Sequence, residues 1–278
     1  MHRRTWLRLT GGAACAGLCF ALGRYGRPWW TGEPAPVASD GKTHLLPRER
    51  LPEGQLAYPT GRRRDLAWED PVQGLTPPWP DVVEQVRPAC AIVGSGSGVC
   101  IHPRGDILTN AHVALALSRD LFVQFADGGR LIARCWVINH KLDLALLGVH
   151  CNTPLPHARL AQAMPPPGAQ PAVLCIGHPA QTQPDGRPSP YQPFHVSLGR
   201  IIAQDPDPLG EQSLGRVQHD AWTYWGHSGA PLFDETGCIV ALHNSWQPDA
   251  GTRHAVPLAA IEAFLDDAGV ATATVGLR

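Results

Sequence analysis

Twenty-nine glycines and 28 prolines in 278 residues leave little room for long helices. Proline lacks the amide proton that a helix interior needs, and glycine is about 1 kcal/mol worse there than alanine. Such a density favours short strands joined by many turns, so the chain is read as all-β. Its length allows one large domain or two small ones, with enough surface to bury a core. Basic side chains (23) nearly cancel acidic ones (24), and without a basic excess a binder of nucleic acid through its phosphates is not expected.

Residues 1–26 read as an address rather than a fold. A charged start, with Arg3, Arg4 and Arg8, precedes a short apolar run from Gly11 to Leu22. The run is shorter than the roughly 20 apolar residues that span a bilayer, so no integral membrane span is expected. Arg3-Arg4-Thr-Trp-Leu-Arg8 is similar to the twin-arginine export motif. The expected location is periplasmic or extracellular, with N-terminal anchoring at the membrane as the alternative. Residues 27–78 are dense in Pro, Gly and Arg and read as a linker or extension, through which a homo-oligomer could form.

From residue 79 the pattern changes. Short apolar runs recur between turns: Ala89–Val93, Gly98–His102, Asp106–Thr109, Leu121–Phe125, Arg130–Ile138 and Leu142–Val149. A second set comprises Ala172–Ile176, His195–Ala203, Arg216–Asp220, Pro231–Phe233, Cys238–His243 and His254–Val256. Two groups of six predict two antiparallel β-barrels, at about 82–154 and 169–257, with the whole domain at 79–269 and a tail at 270–278. Pro257–Ala268 carries the one good helix signal, with Leu258, Ile261 and Leu265 at helical spacing and Gly269 as the stop. Beyond the leader six cysteines remain: Cys90, Cys100, Cys135, Cys151, Cys175 and Cys238. They are either bridges of an oxidising compartment or small buried apolar residues; Cys90 and Cys100 flank a Gly-Ser turn and could pair across a hairpin. No spacing suits a metal, and no cofactor is expected.

Three segments carry chemistry. They are Gly-Ser-Gly-Val-Cys-Ile-His-Pro-Arg-Gly-Asp-Ile-Leu-Thr-Asn-Ala-His112-Val, then Lys-Leu-Asp143-Leu-Ala-Leu-Leu, then Gly226-His-Ser228-Gly-Ala-Pro-Leu. Together, and in this order, they resemble the trypsin-like serine peptidases, most closely the HtrA/Deg branch. Pro80-Asp-Val-Val-Glu-Gln-Val-Arg-Pro-Ala resembles that branch's lead-in to the first strand, Ile176-Gly-His-Pro its Ile-Gly-Asn-Pro, and His219-Asp-Ala-Trp-Thr-Tyr-Trp-Gly226 its Thr-Asp-Ala-Ala-Ile-Asn-Pro-Gly.

The chemistry agrees with the resemblance. A serine hydroxyl is a weak nucleophile at neutral pH and needs a base; histidine suits, and a carboxylate on its far nitrogen fixes the tautomer. His112, Asp143 and Ser228 are therefore the candidate triad, two in the first barrel and one in the second. The resemblance implies an oxyanion hole built from the N–H groups of Gly226 and Ser228, with His227 as a further candidate. It also implies a substrate pocket lined by Trp222, Thr223, Tyr224 and Trp225 on one wall and His243, Asn244 and Ser245 on another, and polypeptide substrates.

The departures are informative too. His227 stands where the branch has Asn, and Ala230 replaces its second Gly. Trp222, Tyr224 and Trp225 replace small or aliphatic residues, which predicts a shallow pocket for a small apolar side chain. Asp220 is the one acid nearby and matches an Asp of the branch, so Lys/Arg specificity is not expected. His140, His178, His219, His243 and His254 lack a carboxylate or cysteine pattern and read as structural. The chain stops about ten residues after the last helix, so the PDZ domain of many HtrA-type proteins is not expected. The alternatives to a serine endopeptidase are a catalytically idle binding domain, and an esterase, whose Gly-x-Ser-x-Gly elbow fails at Ala230.

Overall fold

The computed structural model describes residues 41–46, 72–115, 120–149, 151–166, 168–179, 192–205, 217–247 and 252–270. The export signal, Trp29, Trp30 and Trp68 of the extension, and the tail beyond Val270 lie outside the described residues.

In chain order the elements are β1 (His44–Leu45), α1 (Trp79–Val86), β2 (Cys90–Val93), β3 (Gly96–His102), β4 (Asp106–Thr109), α2 (Ala111–Leu115), β5 (Leu121–Phe125), β6 (Arg130–Asn139) and β7 (Leu144–Val149). There follow β8 (Arg159–Leu160), β9 (Ala172–Gly177), β10 (His195–Gln204), β11 (Val217–His219), β12 (Pro231–Phe233), β13 (Cys238–Gln247), β14 (Thr252–Pro257) and α3 (Leu258–Asp267). The first barrel runs β6-β5-β2-β3-β4-β7 and closes where β7 pairs back onto β6. The second runs β12-β9-β10-β11-β14-β13 and closes through β12 and β13. Closure leaves neither six-stranded sheet an open edge of unpaired backbone groups. β1 adds outside the first barrel on β6, and β8 adds parallel to β13.

β7 and β9 read as continuous apolar runs because both of their faces are buried. On β9, Val173 and Cys175 point into the second barrel, while Leu174 and Ile176 point to the seam between barrels. On β7, Ala145 and Leu147 fill the first barrel, while Leu144 and Leu146 face the seam. This period of two places a third apolar layer between the two barrel interiors. α1 and α3 complete that layer: Trp79, Val82, Val83 and Val86 pack in one cluster with Ile261, Phe264 and Leu265. α3 ends at Gly269, whose φ of 64° lets Val270 N–H reach Leu265 O at 3.0 Å.

The same alternation excludes the Cys90–Cys100 bridge. Cys90 lies opposite Val99 in the β2–β3 ladder, so Cys100 falls on the other face. Cys90 joins the seam, Cys100 the interior of the first barrel. All six described cysteines are free thiols. Burial pushes the thiols of Cys100, Cys135 and Cys175 up to about 12, so they stay protonated and apolar in character. Where residues 27–78 are described, Leu46 N–H donates to Trp136 O at 2.7 Å, and Val72 and Leu75 pack on the seam.

Candidate active site

Two turns of the first barrel bring His112 and Asp143 together. β4 ends at Thr109, and the chain enters α2 through the buried Asn110, whose amide donates to Asp143 O at 2.9 Å. Asp143 follows β6 in a turn held by Leu142 N–H on Asn139 Oδ1 at 3.0 Å. Its backbone is left-handed, with φ of 54°, a conformation that Asp tolerates better than most residues.

The result is a three-point grip. Asp143 Oδ1 accepts the His112 backbone N–H at 3.1 Å, and both carboxylate oxygens lie 2.9 Å from His112 Nδ1. A carboxylate can only accept, so the neutral imidazole carries its proton on Nδ1 and turns a lone pair on Nε2 outward. The Asp143 side chain is 12 % exposed, the His112 side chain 49 %. An acid behind and an open imidazole in front is the arrangement a general base requires.

Ser228 sits in the turn between β11 and β12, and this turn meets α2 over Gly96. A Cβ on Gly96 would lie 2.8 Å from Val113 Cγ2 and 3.1 Å from Ser228 O, so only glycine fits there. Ser97 holds the serine turn: its N–H donates to Ser228 O at 2.8 Å, and its hydroxyl donates to Gly226 O at 2.8 Å. The same hydroxyl accepts His178 N–H at 2.8 Å, and Thr109 Oγ1 donates to Ser97 O at 2.7 Å. Ser228 Oγ donates to Asn244 O at 3.5 Å, and among the described residues no hydrogen bond joins it to His112.

The N–H groups of Gly226 and Ser228 have no acceptor among the described residues, and Gly226 adopts a φ of 95°. Two such donors flanking a nucleophile can receive a developing oxyanion. His227 is different: its N–H is taken by Tyr224 O at 3.0 Å and its ring is buried, so neither group is offered to a cleft.

The expected pocket residues separate. Trp222 stacks on Tyr224 with centroids 6.0 Å apart and planes 7° apart, and its other neighbours are His195 at 4.6 Å and His227 at 5.5 Å. Thr223 is buried, Trp225 is 43 % exposed and Ser245 is exposed, whereas Asn244 is buried. His243 does not face outward; it lies buried with Nδ1 3.0 Å from His219 Nε2. Asp220 turns to β10, where it accepts the Arg200 N–H at 2.5 Å.

His178, His219, His227 and His243 are all buried around the serine turn. Burial lowers His178 to about 4 and His219 and His227 to about 3, and holds His243 well below the ordinary imidazole range. At neutral pH the four are uncharged. No cluster of His, Cys, Asp or Glu able to hold a metal occurs among the described residues. No helix among them is long and apolar enough to cross a membrane.

Ser97, Asn110 and Thr109 carry the positioning bonds, and none was singled out in the sequence. All three lie inside the first chemical segment, but their partners are residues of other strands that spacing alone does not reveal.

A family profile described as "Trypsin-like peptidase domain" matches residues 96–242. Among curated proteins the chain is 32 % identical over 176 residues to mouse "Serine protease HTRA4", covering 62 % of the chain and 34 % of that protein. It is 30 % identical over 204 residues to "Serine protease HTRA1" of Xenopus tropicalis (66 % of the chain, 42 % of the relative). Rat "Serine protease HTRA3" is 28 % identical over 217 residues, covering 67 % and 43 %. The chain therefore spans between a third and a half of the length of these relatives.

Proposed function

Because the chain belongs to the trypsin-like peptidase family, we propose that it is a serine endopeptidase acting on polypeptide substrates. The observation that carries this reading is the buried Asp143 carboxylate bound to both the backbone and the Nδ1 of a half-open His112, beside a serine turn with two unengaged N–H groups.

Ser228 Oγ attacks the substrate carbonyl carbon as His112 Nε2 takes its proton. The carbonyl oxygen gains the charge and is met by the Gly226 and Ser228 N–H groups. When the tetrahedral intermediate collapses, the C–N bond breaks and His112 returns the proton to the leaving amine. Water then repeats the attack on the acyl-Ser228 ester, and the acid is released. Attack requires Ser228 to rotate its hydroxyl from Asn244 O toward His112. Serine rotamers interchange readily, and catalytic hydrogen bonds often tighten only once substrate is bound.

Trp222 supports a shallow primary pocket. Its ring is packed among Tyr224, His195 and His227, a bulky cluster on the wall where the family pattern has small or aliphatic residues. A small apolar side chain at the cleaved bond is favoured, and a peptide library showing strong preference for Lys or Arg would reject this. Export through residues 1–26 remains part of the proposal; cell fractionation of the Arg3→Lys, Arg4→Lys double variant tests it, with retention in the cytoplasm expected.

The bond from Ser228 to Asn244 O favours a second reading, an idle domain that binds without cleaving. Labelling with a fluorophosphonate decides between them. Wild type should label and Ser228→Ala should not; an unlabelled, folded wild type would favour the idle domain.

A further inference from the structure

His227 lies fully buried beneath the serine turn and takes hold of one residue, Tyr224, with two groups. Its N–H donates to Tyr224 O at 3.0 Å, and its Nδ1 accepts Tyr224 N–H at 3.1 Å. Nδ1 is also 3.1 Å from Tyr224 O, whose second lone pair could accept from it, but a proton on Nδ1 would meet the Tyr224 N–H head-on. The tautomer protonated on Nε2 therefore satisfies both backbone groups of Tyr224. It does so at a cost on the far side of the ring, where Nε2 is buried without a hydrogen-bond partner among the described residues. A leucine would fill the same space with no such cost. The imidazole thus has a task, and the task is at Nδ1.

Between Tyr224 and Ser228 run the peptide units that carry the Gly226 and Ser228 N–H groups. One end of this stretch is fixed by the grip on Tyr224, and its middle by the Ser97 hydroxyl on Gly226 O. The ring itself cannot swing: Trp222 meets it edge to face, and a Cβ on Gly177 would overlap its Cδ2.

We propose that His227 is a positioning residue whose Nδ1, acting as acceptor, holds Tyr224 N–H and so keeps the Gly226 and Ser228 N–H groups converged on the oxygen of the substrate carbonyl. The proposal rests on Ser228 being the nucleophile. Its logic also covers the Asn of the HtrA/Deg pattern, since asparagine Oδ1 stands the same three bonds from Cα as histidine Nδ1. Burial holds His227 at about 3, which keeps Nδ1 an acceptor across the neutral range.

The test compares His227→Asn, which keeps an acceptor, with His227→Leu, which does not. With a fluorophosphonate probe, the Asn variant should react within a few-fold of wild type. The Leu variant should lose about 100-fold in the maximal inactivation rate, with the probe's apparent binding constant unchanged, as expected for a misplaced oxyanion donor. Equal rates in the Leu variant and wild type, or an equal loss in both variants, would overturn the proposal. Hydrogen exchange provides an arm independent of activity: the Tyr224 amide should exchange slowly in wild type and His227→Asn, and fast in His227→Leu. Should the Leu variant not fold, nitrogen NMR of wild-type His227 replaces it, and an Nδ1 found protonated at neutral pH rejects the grip. An unlabelled wild type with a protected Tyr224 amide rejects the peptidase reading alone.

Discussion

Asp143 is the residue on which most of the site's geometry turns. Its left-handed backbone aims the carboxylate at His112, and its oxygens meet the His112 N–H and Nδ1 together. Asn at this position would keep the shape but offer an amide, whose donor forces the imidazole toward the wrong tautomer. Asp143→Asn should therefore lower turnover by about ten-thousand-fold with little change in stability, as measured by steady-state hydrolysis of an unfolded protein substrate. Loss of less than tenfold would mean that Asp143 does not set the tautomer. The pairing of His112 with Asp143 was legible because each sits in its own apolar frame, whereas the bond from Ser228 Oγ to Asn244 O was not. The orientation of His227 was not legible. Whether a side chain before the nucleophile faces a cleft or an interior depends on the register of β9 beneath it, which is set by strands far off in sequence.

At the scale of elements, most strands could be read because each ends in turn residues and buries apolar side chains on the face toward its barrel. α1 was read only as a lead-in to the first strand, although Trp79, Val82, Val83 and Val86 lie at helical spacing. Eight residues containing a proline give a weak signal, and the seam between barrels, not propensity, stabilises the helix. β1 and β8, two residues each, have no periodicity to read; they exist because β6 and β13 offer them a partner. The assignment of buried and outer faces makes a checkable claim. Leu174→Ala, at the seam, should cost about 2–5 kcal/mol in urea unfolding. Phe122→Ala, on the outer face of β5 and 71 % exposed, should change stability by under about 0.5 kcal/mol. Equal costs would contradict the assignment of faces.

For the whole molecule, the buried histidines couple stability to acidity. The model-compound value is 6.5, while folded His178 lies at about 4 and His219 and His227 at about 3, with His243 also well below 6.5. As pH falls below 6.5 the unfolded chain takes up protons on these groups and the folded chain does not. Stability is therefore full above 6.5 and declines below it, by about 1.4 kcal/mol per pH unit for each fully depressed group. Arg253 beside His219 and His243 acts in the same direction. Calorimetric unfolding at pH 7 and pH 5 should show a lower midpoint at pH 5, and His219→Thr should flatten the dependence by about one proton. An unchanged midpoint would mean that the rings are charged in the folded state. The upstream strand bears on catalysis by a different route. Asn139, which caps the Asp143 turn, also donates to Thr43 Oγ1 at 3.1 Å, and Thr43 Oγ1 in turn donates to Asp267 Oδ2 of α3 at 3.0 Å. A cut within 47–71 would leave the N-terminal piece that carries Gly41–Leu46 held by these bonds and the β1–β6 pairing alone, and its loss would take from Asn139 the partner it has behind the turn of Asp143.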